Sequence, residues 1–344
     1  MSPFDKLVPQ GAPKKTGMNI AILSDFNIGG QPTYLMRALN KYTPHRARTI
    51  IWRHDYMDYD RDIVLGQELN PEACQEAAEI VKAADFFHFG RQPFNFPGID
   101  FNKLINPRNC VVKYYGSELR NNGPALAKWH QDSGIQAITG TDWTMVSRLP
   151  GFYHLGSYFT AFGDMAPADI PKANHEAVIP IVHAGSGTTG IKRYDILEKC
   201  VMELQRESIP IALQKIEGKS NREALTHKAK CQMCFTSLHQ GWGISGIEAM
   251  WMEIPVLAAI DPFILSLYPD QPAIPVDESN LKLRLKDLAE APGMRWYVGA
   301  ESRVFAEKHF KTKDIVTRYA RLLELIARAD EYGKGYMPAP EPWV

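Results

Sequence analysis

Short apolar runs alternate with amphipathic stretches along the first half of the chain. Apolar residues at helical spacing predict helices at Gln31–Tyr42 and Pro71–Lys82, and the proline that opens the second one is tolerated in a first turn. Buried strands are predicted at Asn19–Leu23, Thr49–Trp52, Asp85–Phe89, Val111–Tyr115 and Gln136–Thr139. This alternation predicts a parallel sheet that is covered by helices on both faces.

A second series of the same kind follows an interruption at residues 163–177, which hold two prolines and no periodicity. Strands are predicted at Val178–His183, Ile209–Ile216, Cys231–Leu238 and Pro255–Ala259. Helices are predicted at Tyr194–Arg206, Asn221–Lys228, Ile244–Met252, Leu281–Leu288, Arg295–His309 and Lys313–Ala329. The whole pattern predicts an α/β protein with two Rossmann-like, doubly wound domains that face a central cleft.

The same pattern sets the expected domain limits. Residues 1–17 are polar and rich in proline and glycine, and they predict a flexible N-terminal arm. The N-terminal domain is expected to cover 18–165, a linker 166–177, and the C-terminal domain 178–325. A proline-rich tail at 326–344 follows, and we expect it to pack back on the N-terminal domain.

Composition narrows the classes of protein that fit this sequence. The 39 basic residues are balanced by 39 acidic ones, so the sequence gives no strong signal for nucleic acid or an anionic membrane. The five cysteines are scattered and odd in number, which is typical of reduced, intracellular protein. No apolar run reaches the roughly 18 residues of a membrane span. We expect a cytoplasmic protein, for which peripheral membrane contact and the oligomeric state stay open.

Two glycine-containing loops follow predicted strands. Gly29 and Gly30 precede a helix, where a ligand can approach the backbone and the helix start favours negative charge. The segment His183–Lys192 holds three glycines, three hydroxyls and a lysine, which suit an anionic diphosphate. It is not an ATPase phosphate loop, because Arg193 follows the lysine. A plain turn and a polar surface loop are the respective alternatives.

A third loop leads from a strand into the helix that carries Glu248. Three glycines lie within the six residues 241–246, and glycine costs a helix interior about 1 kcal/mol relative to alanine. A ligand that comes close to this backbone would explain them. Glu248 could accept hydrogen bonds from both hydroxyls of a ribose. The alternative is that Glu248 only interacts favourably with the helix dipole.

Taken together, these loops resemble those of glycosyltransferases of the GT-B fold, and of family 4 most closely. The C-terminal resemblance runs from about residue 178 to 256. It rests on His183-Ala184-Gly185-Ser186 with Lys192, on Gln240-Gly241-Trp242-Gly243, on Glu248-Ala249-Met250 and on Pro255-Val256. The N-terminal resemblance is weaker and rests on Gly29-Gly30, on the strand that contains His88, and on Tyr115-Gly116-Ser117-Glu118-Leu119-Arg120.

The resemblance implies a retaining, metal-independent glycosyltransferase with a UDP- or GDP-sugar as donor and no prosthetic group. Lys192 would neutralise the diphosphate, Glu248 would hold the ribose, and His88 would contact the acceptor or act as a base. The other implied donor contacts are Gly29, Gly30, His183, Gly185, Ser186, Arg193, Gln240, Gly241, Trp242, Gly243 and Ile244. For His88, a structural histidine satisfied by the backbone is the alternative.

The implied acceptor is a hydroxyl compound such as a glycan or a lipid-linked saccharide. Its contacts would be Tyr115, Glu118, Arg120 and Arg91, although a surface ion pair is the alternative for Glu118 and Arg120. Tyr115 stands where the family has a histidine, and Gln240 stands where it has an acid. We expect Gln240, eight residues before Glu248, to change the choice of donor sugar.

Other readings stay open. The pairs Asp58/Asp60 and Asp60/Asp62 could bind a metal, although a solvated acidic loop is favoured and no metal is expected. The pair Cys231/Cys234 is expected to pack in the core.

A phage-type DNA glycosyltransferase is an alternative function, and it would have to reach an extruded base. It would need a basic cluster from Arg46, Arg48, Arg53, Arg91 and Arg120. A catalytically inactive GT-B-like binding subunit is the third reading, and the amide at Gln240 is its support.

Overall fold

The computed structural model describes residues 17–53, 57–91, 99–114, 117–139, 153–154, 159–184, 192–239 and 241–328. The chain folds into two α/β domains, and all the described strand pairs in both sheets are parallel. The predicted fold class is therefore confirmed.

The N-terminal domain is built on a seven-stranded sheet of order β3-β2-β1-β4-β5-β6-β7. Its strands are β1 (Asn19–Ser24), β2 (Arg46–Ile51), β3 (Ile63–Val64), β4 (Phe86–Phe89), β5 (Cys110–Tyr114), β6 (Gln136–Thr139) and β7 (Tyr153–His154). Its helices are α1 (Gln31–Tyr42), α2 (Pro71–Ala83) and α3 (Ser117–Ser133). Buried apolar residues line both faces of the sheet, as a doubly wound sheet requires.

The C-terminal domain has a five-stranded sheet of order β12-β11-β10-β8-β9. Its strands are β8 (Ile181–Ala184), β9 (Ala212–Lys215), β10 (Met233–Ser237), β11 (Val256–Ala258) and β12 (Ile274–Pro275). Its helices are α4 (Tyr194–Arg206), α5 (Asn221–Lys228), α6 (Gly243–Trp251), α7 (Pro262–Leu267), α8 (Leu281–Glu290) and α9 (Pro292–His309).

The chain then returns to the N-terminal domain through α10 (Thr312–Ala327). This helix packs against α1, and its apolar face joins the cluster that contains Ile20 and Phe86 of the N-terminal sheet. We expected the return to begin in the tail at residue 326, but it begins at Thr312. The apolar face of α10 explains the difference, because it is buried on the other domain.

Hydrogen bonds tie the two domains together at the cleft. The backbone N–H of Asn221, at the start of α5, donates to the carbonyl of Met57 over 2.7 Å. The hydroxyl of Tyr59 also donates to Oδ1 of Asn221 over 3.2 Å. No helix within the described residues is long and apolar enough to cross a membrane.

Candidate active site

The carboxyl ends of β8, β9 and β10 meet at one edge of the C-terminal sheet, because neighbouring strands are parallel. Lys192 lies between β8 and α4, α5 follows β9, and α6 follows β10. This edge faces the start of α1 in the N-terminal domain. The topology therefore brings the segments that carry Lys192, Glu248 and Gly29 to one cleft.

Glu248 on α6 is buried and forms an ion pair with Lys228, the last residue of α5. Lys228 is only 2% exposed and also donates to the carbonyl of Ser245 over 3.2 Å. A buried charge without a partner is costly, so each ion depends on the other. Sequence reasoning missed Lys228, because a lysine in the last turn of a polar helix is typical of a solvated helix end.

Lys192 contributes a second positive charge to the same region. Its Nζ lies 5.7 Å from the centre of the Tyr194 ring. Burial, together with the nearby positive charge of Lys228, lowers the pKa of Lys192. An anion beside Lys192 would favour its charged form, so this part of the cleft suits a diphosphate.

His183, at the carboxyl end of β8, lies beside this charged group. Its Nε2 is 3.4 Å from the hydroxyl of Ser245 on α6. Burial lowers the pKa of His183 well below its usual value, and the charges of Lys228 and Lys192 act in the same direction. His183 therefore stays neutral near pH 7 and offers a polar contact without adding charge.

The two domains meet where α1 and α6 begin. Gly29 has a left-handed backbone, and a Cβ at that position would lie 2.7 Å from Cδ1 of Ile244. Gly30 is also left-handed, and a Cβ there would lie 2.6 Å from the ring of Tyr59. Gly29 therefore permits a close approach of α1 to Ile244 of the C-terminal domain, whereas Gly30 leaves room for Tyr59 of its own domain.

The glycines around α6 have a structural reason of their own. Gly241 and Gly243 have left-handed backbones, and a Cβ on Gly246 would lie 2.6 Å from the Cβ of Trp242. The indole of Trp242 is 1% exposed and packs against Tyr268 and Phe305, with ring centres 5.9 and 5.7 Å away. Because the indole is buried in this aromatic cluster, a donor that lies along residues 241–244 would meet the backbone of Trp242 and not its ring.

His88 does not lie with the other candidates. It is fully buried in β4, and its Nδ1 is hydrogen-bonded to the hydroxyl of Tyr319 on α10. Burial, with the positive charge of Lys113 beside it, lowers the pKa of His88 to about 3. A neutral, enclosed imidazole under α10 cannot reach an acceptor, so the suggested catalytic role for His88 is corrected to a packing role.

The side chain of Arg193 is directed to carboxylates at the surface. It forms ion pairs with Asp195 and Glu278, and its backbone is left-handed at the start of α4. Its charge is therefore already matched, and the structure gives it no contact with Lys192 or Glu248. The remaining candidates Gly185, Ser186, Gln240 and Tyr115, and the side chain of Arg120, lie outside the described residues.

Arg91 and Glu118, both expected on the acceptor side, meet in the N-terminal domain. Arg91 follows β4 and lies 3.1 Å from Glu118 on α3 and 3.3 Å from Asp25 after β1. Burial raises the pKa of the Glu118 carboxyl, and Arg91 opposes this shift. The pair lies at the carboxyl ends of the N-terminal strands, which is the edge that faces the cleft.

A cavity of about 370 Å³ lies between the domains beside these groups. The N-terminal domain contributes Tyr34, Arg37, Asp58 and Tyr59, and the start of α5 contributes Asn221 and Arg222. Tyr34 lines the cavity, and burial, together with the negative charge of Glu248, raises its pKa to about 12. This cavity could not be predicted from the sequence, because it forms only where separate segments of the chain meet.

Asp60 and Asp62, from the acidic loop considered for a metal, form ion pairs with arginines of the N-terminal domain. Asp60 bonds Arg37 over 2.6 Å, and Asp62 bonds Arg48, which also reaches Glu76. Among the described residues, no group of three histidine, cysteine, aspartate or glutamate side chains is arranged to hold a metal ion. Cys231 and Cys234 are buried free thiols, as expected for core packing.

No protein-family model and no curated protein matches the sequence. Among solved structures, HepE of Anabaena in complex with UDP-glucose is 13% identical, with 89% of this chain and 99% of HepE covered at a TM-score of 0.59. A mutant O-GlcNAc transferase of Thermobaculum terrenum is 11% identical, with 95% of this chain and 72% of that one covered at a TM-score of 0.50.

TarM of S. aureus, solved as a mutant with UDP, is 13% identical at a TM-score of 0.50. The alignment covers 69% of this chain and 55% of TarM, so the matched region is about half of that protein. At these identities the likeness establishes the fold. The chain has the GT-B fold, as the loop motifs implied.

Proposed function

We propose that this protein is a glycosyltransferase that moves a sugar from a nucleotide-diphosphate sugar to a hydroxyl group of an acceptor. The observation that carries the proposal is the convergence of Lys192, Glu248 with its partner Lys228, and the Gly29 turn at one interdomain cleft. HepE, which has the same fold, was solved with UDP-glucose, and this supports a donor of that class.

In the proposed complex, each part of the donor has a matching group. The diphosphate lies against Lys192, where it gains most from a partly desolvated cation. The ribose hydroxyls donate to the carboxylate of Glu248, which Lys228 holds through Oε2. The backbone of residues 241–244 follows the sugar and the diphosphate, because the glycines there leave room for close approach.

The proposed reaction retains the configuration of the sugar and uses no metal. The bond between the anomeric carbon and the diphosphate oxygen breaks, and the acceptor oxygen bonds to the same face of that carbon. The acceptor proton passes to the departing phosphate oxygen. Lys192 and nearby backbone amides stabilise the charge that develops on the leaving diphosphate, a contribution that is often the largest in such reactions.

The acceptor is proposed to bind on the N-terminal side, near the Arg91–Glu118 pair. A paired guanidinium and carboxylate offer donors and acceptors together, which suits the hydroxyl groups of a glycan or a lipid-linked saccharide. A DNA acceptor gains no support, because Arg48 and Arg91 are each bonded to two carboxylates and add little free positive charge. The five free cysteines favour a reducing, cytoplasmic location.

Titration calorimetry with UDP-sugars and GDP-sugars, each with and without EDTA, tests the proposal. At least one donor should bind, and EDTA should leave its dissociation constant unchanged within twofold. Proton NMR of the product should then show the same anomeric configuration as the donor. Failure of every donor to bind would end the proposal, while a loss of binding in EDTA would remove only its metal-independent form.

A further inference from the structure

We propose that a groove on the N-terminal domain binds the segment that follows α10. The groove lies between the end of α1 and one side of α10, at the opposite end of α1 from the Gly29 turn. The sequence predicts that the tail packs on this domain, and residues 329–344 lie outside the described residues. The groove offers this tail a defined binding surface, and its occupation needs neither donor nor acceptor.

The groove, called here the α1/α10 groove, has a volume of about 390 Å³. It is lined by Tyr42 and Pro44 at the end of α1, and by Thr317, Arg321, Glu324 and Arg328 of α10. The four residues of α10 recur at helical spacing and therefore form one stripe along the helix. At 1.5 Å per residue this stripe is about 16 Å long, which is enough to bind several residues of an extended chain.

One end of the groove lies where the chain leaves α10. Arg328 lines the groove and directly precedes the segment. Tyr332 and Tyr336 lie four and eight residues further along, and an extended chain spans about 13 and 26 Å over these separations. Both side chains can therefore return along the stripe. Because the segment is attached to the groove, its effective concentration there is on the order of millimolar.

The charges of the groove and of the segment are complementary. The groove contains Arg321 and Arg328, both half-buried, against the single carboxylate of Glu324. Residues 329–344 contain three acidic residues and one lysine. Two of the acids, Asp330 and Glu331, come almost directly after Arg328. Arginine side chains bind carboxylates well, so the acidic start of the segment favours binding at this end of the groove.

The floor of the groove is apolar. Ala320 and Leu325 form part of it and are buried, and Pro44 adds an exposed ring at its edge. The segment supplies large apolar side chains, namely Tyr332, Tyr336, Met337 and Trp343. Its three prolines restrict the unbound chain, so less conformational entropy is lost on binding. An acidic segment with aromatic side chains thus matches both the charged and the apolar parts of the groove.

Cleavage after Lys334 measures whether the segment is bound. Lys334 is the only lysine beyond Lys313, so a lysine-specific endoproteinase acting on the native full chain releases residues 335–344, which mass spectrometry quantifies. We expect this release to be at least about tenfold slower than cleavage of a synthetic peptide of residues 329–344. The reason is that the segment must leave the groove before it can be cut.

A variant that fills the groove tests the binding surface itself. Thr317→Trp covers the stripe without changing a charge, and it should speed the release about fivefold or more. Thr226→Trp on α5 is the matched control, since both threonines are exposed and each hydroxyl donates to the carbonyl four residues earlier. The control should release the fragment at the wild-type rate.

Neutral variants test the ionic part of the binding. Arg321→Gln/Arg328→Gln and Asp330→Asn/Glu331→Gln should each raise the rate about threefold, which is the size of effect that exposed ion pairs produce. All four changes together should add little more, because either pair of changes already removes the same contacts. Arg206→Gln/Arg222→Gln changes two exposed arginines of the C-terminal domain and should leave the rate unchanged.

Three results would overturn the inference. The first is release from the wild type at the rate of the free peptide. The second is protection that survives in Thr317→Trp, since the segment then lies elsewhere. The third is protection that is lost on about 50-fold dilution, since a second copy of the chain then provides the groove.

Discussion

Glu248 and Lys228 form the most consequential pair of side chains in the cleft. Without a partner, the Glu248 carboxylate would repel a diphosphate. Lys228 offsets that negative charge and holds Oε2 of Glu248. Both side chains are buried, so the pair also affects the stability of the C-terminal domain. A single residue that sequence reasoning did not select thus determines how the predicted ribose contact can work.

We predict that Lys228→Met destabilises the protein by about 3–5 kcal/mol, since it leaves Glu248 buried without its counter-ion. Urea unfolding at pH 7 measures the change. The double variant Lys228→Met/Glu248→Leu should recover most of the loss, because neither charge is then left alone. A loss below about 1 kcal/mol in the single variant would show that the pair is not formed.

Because His88 is buried in its neutral form, we predict that the protein loses stability at acidic pH. Its pKa is about 3 in the folded protein and 6.5 in the unfolded chain, so only the unfolded chain takes up a proton between these values. Stability should therefore fall as the pH drops below 6.5, by about 2 kcal/mol at pH 5 from this residue.

Urea unfolding of the wild type and of His88→Asn at pH 7 and at pH 5 measures this contribution. His88→Asn loses the hydrogen bond to Tyr319 and is therefore less stable at both pH values. The quantity to compare is the change in the free energy of unfolding between pH 7 and pH 5. The wild type should lose about 2 kcal/mol more than the variant over this interval. Equal slopes for the two proteins would mean that His88 titrates normally.

At the scale of elements, the starts of α1 and α6 carry the contact between the domains. The left-handed Gly29 places the first turn of α1 against Ile244, and the chain can make this approach only without a Cβ. Gly66 has the same kind of backbone conformation, yet a Cβ there would meet nothing within 4 Å. Comparing alanine substitutions at Gly29 and Gly66 therefore separates the cost of a strained backbone from any effect on the cleft.

Gly29→Ala and Gly66→Ala should each cost about 1–2 kcal/mol of stability, because both force an alanine into the left-handed region. Thermal unfolding measures this common loss. Gly29→Ala alone should also weaken donor binding, since its methyl group pushes Ile244 out of the cleft. Equal donor affinity in the two variants would show that the Gly29 turn does not shape the site.

Periodicity predicted the elements whose apolar faces are regular, and it failed where local residues interrupt the pattern. Helix α3 was not predicted, because Pro124 lies within it and Asn122 has a non-helical backbone. Helix α7 has only six residues, too few for a periodic signal. The glycines indicated which loops approach the cleft, because a glycine motif can be recognised within one short loop.

The buried partners were beyond sequence reasoning for a different reason. Lys228, Tyr34 and the indole of Trp242 acquire their roles from residues more than a dozen positions away, or from the other domain. One sequence gives residue types and spacing, but not which side chains face each other after folding. The loops of the candidate site could thus be predicted from the sequence, whereas the charged partners inside it could not.

The molecule as a whole behaves as two domains joined by one returning helix. Helix α10 follows the C-terminal domain but buries its apolar face on the N-terminal one, and a continuous apolar cluster extends across both. The cleft lies between two domains that this helix links, and the hydrogen bond from Asn221 to the carbonyl of Met57 joins them as well. Such an arrangement can exclude water from a reacting donor.

The central claim is that this cleft transfers a sugar with Lys192 stabilising the leaving diphosphate. Its most direct test is the rate at which nucleoside diphosphate is released from the donor that binds best, for the wild type, Lys192→Ala and Lys199→Ala. Lys199 lies on the exposed face of α4 and serves as the matched lysine control. We expect equal rates for the wild type and Lys199→Ala, and a kcat for Lys192→Ala lower by about 100-fold or more with a much smaller change in KM. Release by Lys192→Ala at the wild-type rate would contradict it.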